Sequence, residues 1–170
     1  MRKKRESAYI VSGVRMIEQR RKNKTIAASD LKEKIAETGW GEENGVYVYG
    51  QSGGNWIKPM YVGSTERRSM REEATTYHKM ATYKDGLLQS RGKAVLFLLP
   101  YGRRRPASSS KKAIASQEDI IMKLAHAVNP RLLNKRLPPK SLDGAEPKLQ
   151  FRRGRPNKPE TLFRKMLKIQ

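Results

Sequence analysis

The chain contains no cysteine, only two histidines, and only 16 acidic residues among its 170. The lack of cysteine excludes disulfides and thiolate metal sites, and two histidines alone do not make a structural zinc site. A run of about 18 apolar residues is also missing, so the sequence predicts no membrane-spanning helix. The basic N-terminus is not followed by an apolar stretch, which argues against a secretory signal. The lack of cysteine fits a reducing cytosol, so a cytoplasmic protein is expected.

Basic residues, by contrast, are abundant. Lysine and arginine together number 37, which gives the chain a formal net charge of +21. An excess of this size is larger than solubility requires and predicts a polyanionic partner, of which nucleic acid is the first candidate. Charge alone does not distinguish DNA from RNA or from an anionic membrane surface.

Residues 1–43 form a basic N-terminal arm for which the sequence pattern predicts helices. Ile10, Val14 and Ile17 recur at helical spacing, and a second short helix is predicted from Leu31 to Glu37. The arm is expected to be a helical hairpin that packs on the main domain, a segment that contacts DNA, or both.

The middle of the chain carries the apolar runs of a folded domain. Two β-prone runs, Val46 to Tyr49 and Trp56 to Val62, flank a glycine-rich turn and predict a hairpin. Lys93 to Tyr101 is a continuous apolar run, which is typical of a buried strand. Helices predicted over residues 66–83 and 111–128 complete an α+β fold, a small three-stranded antiparallel sheet flanked by helices.

Proline and glycine set further limits on these elements. Pro59 cannot donate to a strand ladder, so the second strand of the hairpin is predicted to begin after it or to face solvent there. Asp85-Gly86 is predicted to break the helix that follows the hairpin. Pro138-Pro139 is the predicted domain boundary, which separates a central domain, residues 44–137, from a basic tail, residues 138–170.

The tail is poor in apolar residues over most of its length. We expect it to be mostly extended or disordered in the absence of DNA, with one terminal helix at most.

Glu118 interrupts an otherwise apolar stripe of the predicted helix 111–128. One face of this helix holds Ile114, Glu118, Ile121 and Ala125. A carboxylate on such a stripe costs free energy unless it has a partner, and a bound cation is one such partner. The alternative is a glutamate at the edge of the stripe that pairs with a lysine. Asp119 is the neighbouring candidate, but it points about 100° away around the helix.

Two tripeptides of the hairpin, Gly45-Val46-Tyr47 and Tyr61-Val62-Gly63, resemble the half-motifs of the GIY-YIG nuclease superfamily. Members of this family are small, metal-dependent enzymes that cut DNA phosphodiesters. The chain is most similar to the restriction-type and homing-type endonucleases in its compact size and long hairpin. Valine stands in the first half-motif where the family has isoleucine.

The resemblance implies a set of site residues that follow one another in the chain: Tyr47, Tyr61, Arg71, Glu118 and Asn134. In this set Tyr47 is the general base or positions the attacking water, and Tyr61 is its hydrogen-bonded partner. Arg71 contacts the scissile phosphate, a task that suits the permanent charge and paired donors of a guanidinium. Glu118 is implied to be the sole protein ligand of a divalent metal, Mg²⁺ or Mn²⁺.

Two of these assignments leave alternatives open. His78 shares the helix face of Arg71 and is either a site residue or a surface histidine. The closing asparagine of the site is Asn134, which fits best in its distance from Glu118, or Asn129, which also ends the predicted helix.

A tyrosine is a poor base at neutral pH unless cationic neighbours lower its pKa. Arg71, the metal or Lys58 is expected to do this for Tyr47.

Several other basic residues are predicted to bind DNA: Lys58, Arg67, Arg68, Arg103, Arg104, Arg105, Arg153 and Arg155. The last two belong to Arg153-Gly154-Arg155-Pro156 within a basic stretch, which resembles the core of an AT-hook. An AT-hook is an extended segment that enters a narrow A·T minor groove. The alternative is a tail that binds phosphates without sequence preference.

The sequence therefore predicts a Mg²⁺-dependent endonuclease that hydrolyses double-stranded DNA in a bacterial or phage-infected cell. A break of both strands needs two active sites or two visits, which favours a homodimer or a transient pair on DNA. The alternative function is a non-catalytic nucleic-acid-binding protein, such as a ribosomal or nucleoid protein or a degenerate nuclease. Glu118 distinguishes the two, because a pure binder has no use for a lone carboxylate on an apolar stripe that faces two tyrosines and an arginine. A position of Glu118 on the far side of the sheet from Tyr47, Tyr61 and Arg71 would favour the binding protein.

Overall fold

The computed structural model describes residues 9–11, 13–19, 27–88, 92–101, 107–138, 140 and 149–169. The strands among them are β1 Tyr9–Val11, β2 Arg15–Gln19, β3 Gly45–Gly53, β4 Trp56–Ser64, β5 Lys93–Pro100 and β6 Leu149–Phe151. The helices are α1 Ala28–Glu37, α2 Met70–Ala74, α3 Tyr77–Leu88, α4 Ala107–Val128 and α5 Lys158–Leu167.

The main sheet consists of antiparallel strands in the order β2-β5-β3-β4. The α+β class is therefore confirmed, but the prediction of three strands is wrong, because β2 adds a fourth. β2 lies along β5, with Arg15 opposite Leu98 and Gln19 opposite Ala94. A separate parallel pair, β1 with β6, joins segments from the two ends of the chain.

The start of the chain forms strands where apolar spacing predicted a helix. Ile17 is buried on one face of the sheet, while Met16 packs partly against the core on the other face. This alternation is that of a strand, so pairing with β5 decides the structure rather than the local helical period. The helix predicted from Leu31 to Glu37 is confirmed as α1, which buries Leu31 and Ile35.

β3 and β4 form the predicted hairpin, in which Tyr49 lies opposite Tyr61. β4 runs through Pro59, which is buried, so the expectation that the strand begins after this proline or faces solvent there is wrong. The register shifts beside Pro59 and leaves Met60 as an extra residue in the edge strand. A bulge of this kind accommodates a proline, because the ladder is already interrupted there.

The two faces of the sheet are covered by different helices. Val46 and Val48 of β3 share a core with side chains of α4 and α5. Tyr47 and Tyr49, which alternate with them, share a second core with side chains of α1, α2 and α3. Successive residues of a strand point to opposite faces, so β3 contributes to both cores.

The helix predicted over residues 66–83 is in fact two helices, α2 and α3. Ser69 begins α2 by accepting a hydrogen bond from the backbone N of Glu72 at 3.3 Å. α3 continues through Gly86, where a break was predicted. A β-carbon on Gly86 would lie 2.6 Å from Leu133 Cδ1, so close packing explains this glycine.

The last part of the chain packs into the core. Asn157 begins α5 by accepting a hydrogen bond from the backbone N of Glu160 at 2.9 Å. Phe163, Met166 and Leu167 of α5 are buried in the core beside α4. The terminal helix that the sequence allowed is therefore confirmed, and its packing into the core was not predicted. Residues 139 and 141–148 lie outside the described residues, so the expectation of an extended or disordered tail stays a prediction there.

The division into residues 1–43, 44–137 and 138–170 stays a prediction. Buried side chains from all three ranges nevertheless lie in the same core, because Val11 and Phe163 belong to one cluster with Val46. Within the described residues, no helix is long and apolar enough to cross a lipid bilayer.

Candidate active site

The two tyrosines of the half-motifs lie together on the face of the sheet that α2 and α3 cover. The rings of Tyr47 and Tyr61 are stacked, with their centroids 6.3 Å apart and 28° between their planes. Tyr47 has no exposed surface, whereas Tyr61 is partly exposed. The hairpin therefore brings the two rings together, with only one of them open to solvent. The expectation that Tyr61 is the hydrogen-bonded partner of Tyr47 is wrong, because Tyr47 Oη has no partner among the described residues and Tyr61 Oη pairs with Lys79 instead.

Tyr47 differs from the other tyrosines of this core in the environment of its hydroxyl. The Tyr49 hydroxyl donates to the backbone O of Ala74, and the Tyr83 hydroxyl donates to the backbone O of Gly50 at 2.6 Å. Within the described residues, Tyr47 Oη is the buried side-chain atom that lacks a hydrogen-bond partner. Such an atom costs about 1–3 kcal/mol, so packing alone does not account for Tyr47.

The surroundings of Tyr47 keep its phenol protonated. Burial raises the pKa of Tyr47 far above its ordinary value, and the neighbouring phenols raise this pKa further. The carboxylates of Glu73 and Glu118 act in the same direction. Neither Arg71 nor Lys58 is among the groups that shift the pKa of Tyr47, so the expectation that one of these side chains lowers it is wrong, while an effect of a bound metal stays a prediction. With its pKa raised, the hydroxyl of Tyr47 is suited to donate a hydrogen bond.

Lys79 of α3 forms a hydrogen bond with the hydroxyl of Tyr61. Its Nζ donates to Tyr61 Oη at 2.6 Å and lies 4.9 Å from the centroid of the Tyr61 ring. Glu73 Oε1 lies 3.6 Å from the same Nζ. An ammonium group can only donate, so Tyr61 Oη accepts this hydrogen bond and its own proton points elsewhere.

Glu118 lies on α4 and contacts the last residue of β4. Ser64 Oγ donates to Glu118 Oε2 at 2.6 Å, and Arg136 lies 3.9 Å from the same oxygen. The shorter ion pair of Arg136, at 2.6 Å, is with Asp119. Within the described residues, Glu118 Oε1 has neither a hydrogen-bond nor an ion-pair partner.

Glu118 and Tyr47 approach β4 from opposite faces of the sheet, so the expectation that Glu118 faces the two tyrosines is wrong. Tyr47 belongs to the core beside α2 and α3, whereas Glu118 belongs to α4, which covers the other face. Their contacts nevertheless fall on neighbouring residues, because the Tyr47 hydroxyl lies over Gly63 and the Glu118 carboxylate binds Ser64. Gly63 and Ser64 are the last two residues of β4, which is an edge strand of the sheet.

Asn134 is bound to the outer edge of β4. Its Nδ2 donates to Val62 O at 2.7 Å, and its Oδ1 accepts from Val62 N at 3.0 Å. The side-chain amide thus pairs with the strand as another peptide group would. Asn129 makes a similar contact nearer the turn, where its Nδ2 donates to Pro59 O at 2.7 Å. Asn134 is the nearer of the two to Gly63 along β4, while both close the strand edge.

The contacts of Arg71 and His78 are with residues other than Tyr47 and Tyr61. Arg71 forms an ion pair with Glu42, in which the guanidinium lies 2.8 Å from the carboxylate. Its side chain is 38% exposed. His78 is exposed, and its ring meets that of Tyr77 edge-on at 5.9 Å. The structure therefore leaves the phosphate-binding role of Arg71 and the site role of His78 as predictions.

The predicted DNA-binding residues lie at several places on the surface. Lys58 is exposed beside Gln51, toward the turn of the hairpin and away from Gly63. Arg67 and Arg68 are exposed between β4 and α2. The hook-like residues Arg153, Gly154 and Arg155 are exposed between β6 and α5. Arg103, Arg104 and Arg105 lie outside the described residues.

Sequence reasoning missed three residues that contact the site, Ser64, Glu73 and Lys79. None carries a signal of its own, because Lys79 is one of 37 basic residues and Ser64 simply ends a strand. Their importance comes from pairing across the hairpin and from the turn between α2 and α3. Comparison with models of protein families, with curated protein sequences and with solved structures finds no match for the chain.

Proposed function

We propose that the protein is a divalent-metal-dependent DNA endonuclease of the restriction or homing type. The observation that carries the proposal is that a buried, unpartnered phenol and a carboxylate contact adjacent residues of β4, Gly63 and Ser64, from the two faces of the sheet. Hydrolysis of a phosphodiester needs an oriented water, a positive charge near the phosphate and a stabilised leaving oxygen. Tyr47, Lys79 and Glu118 offer groups for these tasks within one end of the hairpin.

The tyrosines act in this proposal as donors that orient the reactants. Tyr47 stays protonated, so its hydroxyl donates to the attacking water or to a phosphate oxygen. Tyr61 accepts from Lys79, which directs its own O–H away from the lysine and toward the reacting groups. The positive charge of Lys79 lies close enough to offset charge that develops on the phosphate.

Glu118 is the residue that would hold the metal. Its carboxylate keeps one oxygen without a protein partner, and Ser64 fixes the orientation of the other. A single carboxylate with several waters is a common way for proteins to bind Mg²⁺, and the described residues contain no cluster of three or more metal-ligating side chains. When bound, the metal supplies Lewis-acid stabilisation of the leaving oxygen.

Two substitutions in neighbouring carboxylates test the proposal. Supercoiled plasmid DNA is incubated with the wild type, with Glu118→Gln and with Asp119→Asn, each with and without Mg²⁺ or Mn²⁺. We expect metal-dependent nicking by the wild type, a loss of about a hundredfold or more in Glu118→Gln, and near-normal cleavage by Asp119→Asn. The matched control is apt because Asp119 already pairs with Arg136.

A second candidate function is a nucleic-acid-binding protein without catalysis. The observation that favours it is the burial of Tyr47, whose side chain has no exposed surface while Glu118 lies across the sheet. In that case the wild type binds plasmid DNA but leaves it supercoiled with every metal. Such a result, with folding intact by circular dichroism, would rule out the nuclease proposal.

The partner and the location follow from the same proposal. Double-stranded DNA is the substrate, a homodimer or transient pair gives a break in both strands, and the protein acts in the cytoplasm. The net charge of +21 supports a polyanionic partner.

A further inference from the structure

An open cavity of about 290 Å³ lies at the turn end of the hairpin, far from the tyrosine pair. Its floor is apolar and includes Met16, Val95 and Leu162. Its rim includes Trp56 and Lys165. The volume is near the lower end of the range for small-ligand pockets, which leaves room for one flat group with a short substituent.

The indole of Trp56, which lines this cavity, packs against the backbone of Gly53 and Gly92. A β-carbon on Gly53 would lie 2.7 Å from Cζ2 of the indole, and one on Gly92 would lie 3.1 Å from its Cη2. Gly92 also has a φ of +133°, which disfavours any other residue at this position. Two glycines thus hold the ring in place, and 45% of Trp56 remains exposed. The result is a fixed aromatic surface that opens toward solvent.

The charge of the cavity is positive. Lys93 and Glu18 neutralise each other in an ion pair with the Nζ and Oε1 atoms 2.7 Å apart. Lys165 has no acidic partner among the described residues and therefore leaves a net positive charge in the lining. An aromatic surface beside an unpaired cation suits a flat heterocycle that carries a nearby phosphate.

We propose that this cavity, the Trp56 subsite, binds an unpaired nucleobase of DNA by stacking on the indole. Base–aromatic stacking is the usual way in which proteins hold unpaired bases, and Lys165, which lines the same cavity, supplies a positive charge for the adjoining phosphate. The Trp56 subsite needs only single-stranded DNA and not cleavage, so it goes beyond the proposed endonuclease function.

The spacing along β4 relates the subsite to the candidate active site. Trp56 and Gly63 are seven residues apart on the strand, or roughly 23 Å at the rise of a β-strand. The cavity also lies on the face of the sheet opposite the tyrosine pair, because its apolar lining belongs to the core beside α4 and α5. The Trp56 subsite is therefore separate from the candidate active site.

Fluorescence isolates Trp56 because the chain has only two tryptophans. In Trp40→Phe protein, Trp56 is the only indole, and its emission is titrated in EDTA with a thymidine decamer and with an abasic decamer of equal charge. We expect saturable quenching by the thymidine decamer and little by the abasic one. Equal responses to both, or no response to either, would overturn the proposal.

Binding measurements give a second test that does not depend on Trp40. Affinity for a fluorescein-labelled thymidine decamer is compared among the wild type, Trp56→Ala and Tyr77→Ala, where Tyr77 is another exposed aromatic residue at 83% exposure. We expect about tenfold weaker binding in Trp56→Ala and less than twofold change in Tyr77→Ala. An unchanged affinity in Trp56→Ala would contradict the subsite. Neither assay includes metal, so a protein that cannot cut DNA still answers the question.

Discussion

The hydroxyl end of Tyr47 lies over the α-carbon of Gly63, its partner in the register of the hairpin. A β-carbon at position 63 would come within 2.5 Å of Tyr47 Oη and within 2.9 Å of its Cε2. The glycine of the second half-motif therefore provides the space through which the tyrosine of the first half-motif reaches the strand edge. The two tripeptides are linked by this contact rather than by a shared turn.

Gly63→Ala tests that contact directly. Because the new methyl group meets a buried ring, we expect a loss of about 1–3 kcal/mol in the free energy of unfolding, measured by chemical denaturation. Gly54→Ala is a useful contrast, since Gly54 has nothing within 4 Å of an added β-carbon and its cost comes only from its φ of +50°. If Gly63→Ala leaves both the position of Tyr47 and the free energy of unfolding unchanged, Tyr47 does not approach Gly63 as closely as the structure shows.

Tyr47→Phe separates the chemical role of the hydroxyl from its structural role. The substitution removes a buried oxygen without a partner, so the free energy of unfolding should stay the same or rise by up to about 1 kcal/mol. DNA cleavage should fall at least tenfold if the hydroxyl orients a reactant. Cleavage at the wild-type rate would remove Tyr47 from the proposed site, whatever happens to stability.

The buried phenol also predicts a specific sensitivity to alkaline pH. The pKa of Tyr47 is raised in the folded protein, whereas in the unfolded chain it is about 10, so the unfolded state loses a proton that the folded state keeps. Stability contributed by Tyr47 is therefore complete below about pH 10 and is lost as the pH rises above that value. Above pH 10, the free energy of unfolding should fall less steeply with pH in Tyr47→Phe than in the wild type. The two slopes should differ by up to about 1.4 kcal/mol per pH unit. Equal slopes in denaturation measured across that range would contradict the burial of this phenol.

Lys79 is expected to act through Tyr61. Lys79→Met removes the donor to Tyr61 Oη and the charge near the phosphate, so the cleavage rate should fall at least tenfold while DNA affinity changes less than threefold. Lys79→Arg keeps the charge and should restore part of the rate. Stability should change by about 1 kcal/mol or less, because the Glu73 ion pair is partly exposed. A parallel fall in affinity and rate would instead make Lys79 a simple DNA contact.

The sequence predicted the hairpin, β5, α1 and α4, because each has a strong local signal. A glycine-rich turn between β-prone runs, or a stripe of apolar residues, is sufficient to place such an element. β2 was missed for the opposite reason. Residues 15–19 are a strand because β5 offers them an edge to pair with, and that edge is some eighty residues away in the chain.

The packing of the tail into the core was not predicted, because composition averages over its length. Most of residues 138–170 are basic or polar, but Phe163, Met166 and Leu167 fall on one side of α5 and fill the core. At the candidate site, the resemblance implied Tyr47 and Tyr61, and an interrupted apolar stripe pointed to Glu118. The structure places all three side chains against β4, while their catalytic roles stay predictions. The sequence could not indicate Lys79 or the opposite approach of Glu118, since both depend on which face each helix covers.

The contacts of Asn129 and Asn134 with β4 have a further consequence for assembly. The outer edge of this strand between Pro59 and Val62 is already occupied by the protein's own amide groups. A second molecule therefore cannot extend the sheet at that edge, and sheet-to-sheet aggregation through it is blocked in the same way. A second molecule that associates with this one would have to do so through helices, loops, the remainder of β4 or the opposite border of the sheet.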